Sequence, residues 1–257
     1  MKRFLKILGA VVLVFVLAVV GIVAATFMGR QSITDGFEVN NVRIVKDGIV
    51  SVAVFPIGGG QVALVDSGND AAGKAILAEL ARRQMGPDNV AAILVTHGHD
   101  DHANGLKLFP KAQIMALDLE VGRVEGTEGF HGPVTQLMPV KPRGVKVARI
   151  LHDGETVLIG QTPVRVFAVP GHTPGSAAYL VNGVLLLGDA ADVDSNGKVI
   201  GSPWIFSDSQ PDDRASLVRL DQRLLQEHAD VKALAFAHSG VRTEGLAPLT
   251  AYAMEQH

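Results

Sequence analysis

Cysteine is missing from all 257 positions, which excludes disulfides, thiolate metal sites and a cysteine nucleophile together. The compartment stays open, because a chain without thiols is at home in either redox setting. Excess basic charge is missing too. The formal net charge is -3, with both signs interspersed and no long run of either, so there is no footprint for nucleic acid. No internal repeat appears at the level of motifs, and Trp204 is the single tryptophan. What is present is 47% apolar and 19% charged residues, the balance of a globular body long enough for one large α/β domain.

The N-terminus differs from this body. Lys2, Arg3 and Lys6 precede Ile7 to Met28, 22 residues without a charge. A helix of that length measures roughly 33 Å, enough to cross a hydrocarbon core of about 30 Å. A cleavable signal peptide is the rival, with small residues at Ala24-Ala25, but its apolar region normally runs about 7–15 residues. The expectation is a single-pass anchor over 1–30 and an enzyme domain over 31–257. Three cations precede the span and only Arg30 soon follows it, so the positive-inside rule sends the domain to the extracytoplasmic (periplasmic) side. Cleavage would export a soluble form instead. The expected partners are the lipid bilayer, through this helix, and a small-molecule substrate.

Along the body, apolar β-branched runs at Ile49 to Phe55 and Gln61 to Val65 flank Gly58-Gly59-Gly60, the pattern of a hairpin turn. The three glycines lack the following helix that a phosphate loop needs. A helix is expected over Ala71 to Met85, a buried strand over Val90 to Val95, a short helix over His102 to Phe109 and a strand over Gln113 to Leu117. Gly122 to Gly144 reads as an irregular insert. Strands return at Lys146 to Leu151, Thr156 to Ile159, Val164 to Val169, Ala177 to Val181 and Val184 to Leu187, the last two joined by the hairpin pair Asn182-Gly183. An amphipathic helix over Asp212 to His228, a strand over Val231 to Ala237 and a helix over Leu246 to Met254 close the chain.

Several apolar strands run directly into potential ligands: Val95 to His97, Val169 to His172, Leu187 to Asp189 and Ala237 to His238. The densest group lies in Thr96-His97-Gly98-His99-Asp100-Asp101-His102. Alternate residues of an extended loop project to one side, so His97 and His99 suit one ion, while Asp101 and His102 point to a neighbouring position. Four donors within six residues exceed what one tetrahedral ion takes alongside distant partners, so two ions are the economical reading.

These residues, with Pro170-Gly171-His172-Thr173-Pro174-Gly175-Ser176, Gly188-Asp189 and His238, resemble the metallo-β-lactamase superfamily over nearly all of residues 40 to 257. The resemblance implies an αββα sandwich with the site at one edge. It implies that His97, His99 and His172 bind one metal, that Asp101, His102 and His238 bind a second, and that Asp189 bridges both. Asp66 matches an aspartate that holds a ligand histidine. The implied activity is that of a dinuclear zinc-dependent hydrolase with a metal-bridging hydroxide, iron or manganese being the other candidate metals. Asp101 would also orient the nucleophile or return a proton to the leaving group, as the catalytic residue.

Within the superfamily, Asp189 stands where β-lactamases usually carry cysteine or serine, and His99 is intact where the flavodiiron branch has glutamate. Only 19 residues follow His238, which leaves no room there for the long helical region of glyoxalase II. The set looks more like the lactonase-type branch, although Ala190 to Gly197 lacks the tyrosine those enzymes often carry. An ester or lactone substrate is therefore expected, with thioester or β-lactam cleavage next and a mononuclear iron persulfide dioxygenase as the rival from another reaction class. His131, His152, His228 and His257 read as structural, and Asp70, Asp100 and Asp192 as solvated loop carboxylates or caps. Ser202-Pro203-Trp204-Ile205-Phe206 suits equally a wall of the pocket and a packing anchor for its loop.

Overall fold

The computed structural model describes residues 2–256; the expectation for His257 lies outside them. An N-terminal helix, α1 (Lys2–Phe27), precedes the body. The first sheet runs in chain order through β1 (Glu38–Val39), β2 (Val42–Asp47), β3 (Val50–Gly58), β4 (Gln61–Val65), β5 (Val90–Leu94), β6 (Gln113–Leu117) and β7 (Arg149–Leu151). Strands β1 to β4 pair antiparallel and β4 to β7 parallel. The second sheet holds β8 (Thr156–Ile159), β9 (Thr162–Ala168), β10 (Ala177–Val181) and β11 (Val184–Leu186). After the two-stranded ribbon β12 (Ala191–Val193) and β13 (Val199–Gly201), β14 (Ala233–Ala235) returns to pair parallel with β11.

Period-two burial explains why the two sheets stack. In β9, Val164 and Val166 enter a core shared with Phe55, Val65 and Leu94 of the first sheet, while Phe167 faces the other way. In β10, Ala177, Tyr179 and Val181 point into the same shared core, and Ala178 points out. Helices cover the outer faces. Ile76 and Leu80 of α2 (Lys74–Arg82) pack on the first sheet. Leu217, Leu220 and Leu224 of α5 (Gln210–Gln226), with Leu249 and Tyr252 of α6 (Ala247–Glu255), pack on the second. Two short helices, α3 (Asp100–Ala103) and α4 (Val121–Glu125), sit in the loops between.

Most differences from expectation have local causes. The helix α2 starts late because the Asp70 carboxylate accepts from the N–H groups of Ala72 and Lys74, and Gly73 adopts φ 57°, so the chain turns before it coils. It ends early at a left-handed Gln84. The helix expected over His102 to Phe109 instead begins at Asp100 and breaks at Gly105, where a Cβ would lie 2.2 Å from the Ser67 carbonyl oxygen. Gly58, Gly59 and Gly60 all take positive φ and close the β3–β4 hairpin. The insert at 122–144 carries α4 and a 3-10 turn at Thr135–Leu137 and is otherwise irregular.

The sheets are tied together at one edge. Tyr179 donates from its hydroxyl to the Val95 carbonyl at 2.8 Å, and the Ala177 N–H donates to the Thr96 carbonyl at 2.9 Å. Gly188 (φ 55°) lies so close that a Cβ there would meet the Thr96 side chain at 2.8 Å. The loops after β4, β5, β6, β9, β11 and β14 converge on this edge.

Candidate metal centre

The loop after β5 carries His97 and His99 and runs into α3 with Asp101 and His102. The loop after β9 adds His172, the turn after β11 adds Asp189, and the end of β14 adds His238. All seven expected residues meet in one place. His97 Nε2, His99 Nδ1 and His172 Nε2 form a triangle with sides of 3.0, 2.9 and 3.1 Å. Alongside, His238 Nε2 lies 3.2 Å and His102 Nε2 lies 3.8 Å from Asp101 Oδ2. Asp189 stands between the groups. Its Oδ1 is 3.1 Å from His102, and its Oδ2 is 3.1 Å from His238 and 3.5 Å from His172.

The remaining ring nitrogens are anchored from behind. Asp66 Oδ2 accepts from His102 Nδ1 at 2.8 Å, and the same carboxylate accepts the Thr96 N–H and hydroxyl, both at 2.7 Å. This is the role the resemblance implies for Asp66. His238 Nδ1 donates to the Ile49 carbonyl at 2.9 Å, and His172 Nδ1 pairs with Ser207 Oγ at 3.0 Å. Such partners fix ring orientation and turn the other ring nitrogen toward the centre.

Electrostatics separate the two groups. Burial, reinforced by His102 and His172, pushes His97 well below the ordinary imidazole range. Burial and His172 do the same to His99, and burial brings His172 down to about 4. These three are neutral donors. Burial opposes charge on His102 as well, but Asp189, Asp101 and Asp66 outweigh it and raise His102 far above 6.5. Asp189 and Asp101 likewise raise His238 to about 10 against burial. Three lone-pair nitrogens packed within about 3 Å repel unless a cation sits among them. His102 Nε2 and Asp189 Oδ1 face each other while buried, neither with a hydrogen-bond partner. A donor set this dense in nitrogen and carboxylate oxygen fits divalent cations, and His97, His99 and His172, His97, His102 and Asp189, and Asp101, His102 and His238 each lie close enough together to hold one.

Other residues of the site left little signal in the sequence. Glu120, fully buried after β6, accepts from the Gly98 N–H (2.8 Å), the Thr173 hydroxyl (2.7 Å) and the Gly175 N–H (3.1 Å). It pins the two histidine loops to each other. A rule that looks for carboxylates just after apolar strands finds Asp66 but stops at the exposed Asp118, two residues short of Glu120. Gly98 is required by space: a Cβ would lie 2.6 Å from the Arg123 carbonyl carbon. Phe130, in the irregular insert, stacks on His99 with ring centroids 4.3 Å apart.

Among the residues expected to be bland, His131, His152 and His228 lie exposed and away from the centre, Asp100 is exposed and pairs with Arg143, and Asp70 caps the turn before α2. Asp192 is a correction. Far from solvated, it is fully buried and forms a 2.7 Å ion pair with Arg30, also buried. No local pattern signals this, because the partner lies 162 positions away, just past the apolar helix. In the loop after β13, Trp204 is exposed, whereas Phe206 lines a cavity of about 270 Å³ at the mouth of the centre with His99, Asp101, Asp189 and His238. Of the two roles open to this segment, its phenylalanine takes that of a wall.

Residues 46–238 match the Metallo-beta-lactamase superfamily. The chain belongs to that superfamily. Its relatives include a hydroxyacylglutathione hydrolase of Shewanella oneidensis, 37% identical over 107 residues, or 39% of this chain and 34% of that one. The chain thus spans about a third of the length of the hydroxyacylglutathione hydrolases it matches. Among solved structures, the Rm3 metallo-beta-lactamase superposes with a TM-score of 0.65 at 22% identity, covering 91% of this chain and 93% of that one. A metallo-beta-lactamase family protein of Thermus thermophilus gives 0.60 at 25% identity, covering 85% and 78%.

Proposed function

We propose that this chain is a metal-dependent hydrolase with a dinuclear centre, zinc in both positions, acting on an ester or lactone. The observation that carries the reading is the pair of donor groups sharing Asp189: His97, His99 and His172 on one side, and Asp101, His102 and His238 on the other. In this reading residues 1–30 anchor an αββα hydrolase body of residues 31–257 to the membrane, with the body on the extracytoplasmic side. When bound, the two ions would supply Lewis acidity and an activated water near neutral pH.

The chain's own residues do the rest. Asp66, Thr96 and Ser207 hold the rings of His102, His97 and His172 in register. Burial would raise Asp101, but His102 and His238 hold it down at about 2, so its carboxylate is ionised. It lines the cavity, where it would orient the attacking water or return a proton to the departing oxygen. Phe206, Met138 and Ile49 give the cavity an apolar lining suited to an acyl group.

Thioester cleavage is the second reading, favoured by the relatives named hydroxyacylglutathione hydrolase. The test is a panel of esters, lactones, thioesters and β-lactams on protein of measured metal content. Two zinc ions per chain and fastest turnover of an oxygen ester or lactone are expected. One iron per chain, or two zincs without turnover of any member, contradicts the proposal.

A further inference from the structure

The end of the apolar helix is built into the mouth of the centre. Phe27, the last residue of α1, lies 5.4 Å from the His238 ring and 5.8 Å from Phe206, ring centre to ring centre, and lines the cavity with Ile49, Met138, Asp101 and Asp189. Arg30 stacks on the outer face of Phe27 at 4.3 Å while pairing with buried Asp192. The residues after the helix are bonded down on both sides. Ser195 N–H donates to the Gly29 carbonyl at 2.6 Å and Gln31 N–H to the Val193 carbonyl at 3.0 Å, beside β12. Gly240 N–H donates to the Gln31 carbonyl at 3.1 Å, two residues past His238. Ser239 closes the link by donating its hydroxyl to Asp192 at 2.7 Å.

The exit of the helix therefore has a fixed place relative to the centre. The uncharged stretch ends at Met28, so a bilayer around α1 would end at the level of the cavity wall itself. Exposed apolar side chains collect at that level: Met28, Ile49, Leu137 and Met138, with Trp204 in the loop that carries Phe206. Leu137 and Met138 are held near that loop through the Val134 N–H, which donates to the Ile205 carbonyl at 3.1 Å. A water-soluble polar substrate has no use for this rim, whereas a chain leaving a bilayer does.

We infer that the substrate is an amphiphilic acyl ester resident in the surface of the membrane that holds α1, and that its acyl chain enters the cavity past Phe27, Phe206 and Ile49. The inference rests on the reading of the chain as a membrane-anchored ester hydrolase and names its substrate class. The reaction needs only water. The water oxygen bonds to the acyl carbon, the bond from that carbon to the alcohol oxygen breaks, and a water proton ends on the alcohol, giving a carboxylic acid and a free alcohol.

Two measurements on the full-length, zinc-loaded chain in phosphatidylcholine vesicles test this. The first compares p-nitrophenyl acetate with p-nitrophenyl decanoate. The decanoate is expected to have the higher kcat/KM by at least about tenfold, since a few buried methylenes suffice for that factor. Phe27→Ser, and separately Ile49→Ser on the exposed rim, should shrink the ratio. The second uses Trp204, whose fluorescence belongs to one position, and lipids brominated along the acyl chain, which should quench it. A ratio near one in the wild type, a ratio unmoved in both variants, or unquenched Trp204 overturns the inference. The acetate separates the two failures: its hydrolysis leaves the hydrolase reading standing, whereas no turnover of either ester, nor of any member of the ester, lactone, thioester and β-lactam panel, with two zincs bound overturns that reading itself.

Discussion

Asp101 and Asp66 are both aspartates beside His102, yet the structure gives them different work. Asp101 faces the cavity with its side chain partly open, and Asp66 is buried behind the ring. Asp101→Ala, verified to hold its metals, should lose about 100-fold or more in kcat with the fold intact, the usual scale for a positioned proton carrier. Steady-state kinetics with circular dichroism checks this. Asp66→Ala should instead weaken metal retention by about 10–100-fold, because His102 loses the partner that orients it; competition with a zinc chelator reads the difference. The convergence of the seven expected residues was legible from the dense run His97 to His102 and from the family resemblance; position after an apolar strand alone was not enough, since His152 directly follows β7 and lies exposed. Asp192 was not legible, since burial of a loop carboxylate depends on where Arg30 arrives, and no local pattern encodes that.

Among the elements, the strands were the most legible, because alternation of inward and outward residues is local. Thr156–Ile159, Ala177–Val181 and Gln113–Leu117 fall where the pattern puts them. Helix ends were less so. Side-chain bonds from Asp70 and the left-handed Gln84 trim α2 in ways that period alone does not reveal. The loop with Gly98 shows how tightly the elements meet. Gly98→Ala would drive a methyl into the backbone of Arg123 and Val124, which should cost about 1–3 kcal/mol of stability and splay His97 from His99. Chemical denaturation and metal content together check it. The insert at 122–144 was rightly irregular, but its contribution of Phe130 to the His99 environment required the folded chain.

At the scale of the whole molecule, one contribution to stability should fall as pH rises toward neutrality, and it lies at α5. Asp213 is fully buried at its start, accepts the Ser202 N–H at 3.0 Å, and burial lifts its carboxyl to about 7 from 3.8. The folded state therefore keeps a proton that the unfolded chain has already released. The stability this proton contributes is complete below the unfolded value and lost as pH rises through about 7. Asp213→Asn mimics the protonated form, so it should remove a loss on the order of 3 kcal/mol between about pH 5 and 8, read from denaturant midpoints across that range. A variant as pH-dependent as the wild type would contradict this. The α/β body was legible from the order of strands and helices, and the edge that gathers the seven donors from the family resemblance; the docking of the first helix onto that edge was not, because it depends on pairs such as Arg30 with Asp192. The most direct test of the two-metal centre is zinc-edge anomalous diffraction from crystals of the full-length protein. Two peaks are expected, one among His97, His99 and His172 and one among Asp101, His102 and His238, with Asp189 between them. A single peak, or a peak away from Asp189, would contradict it.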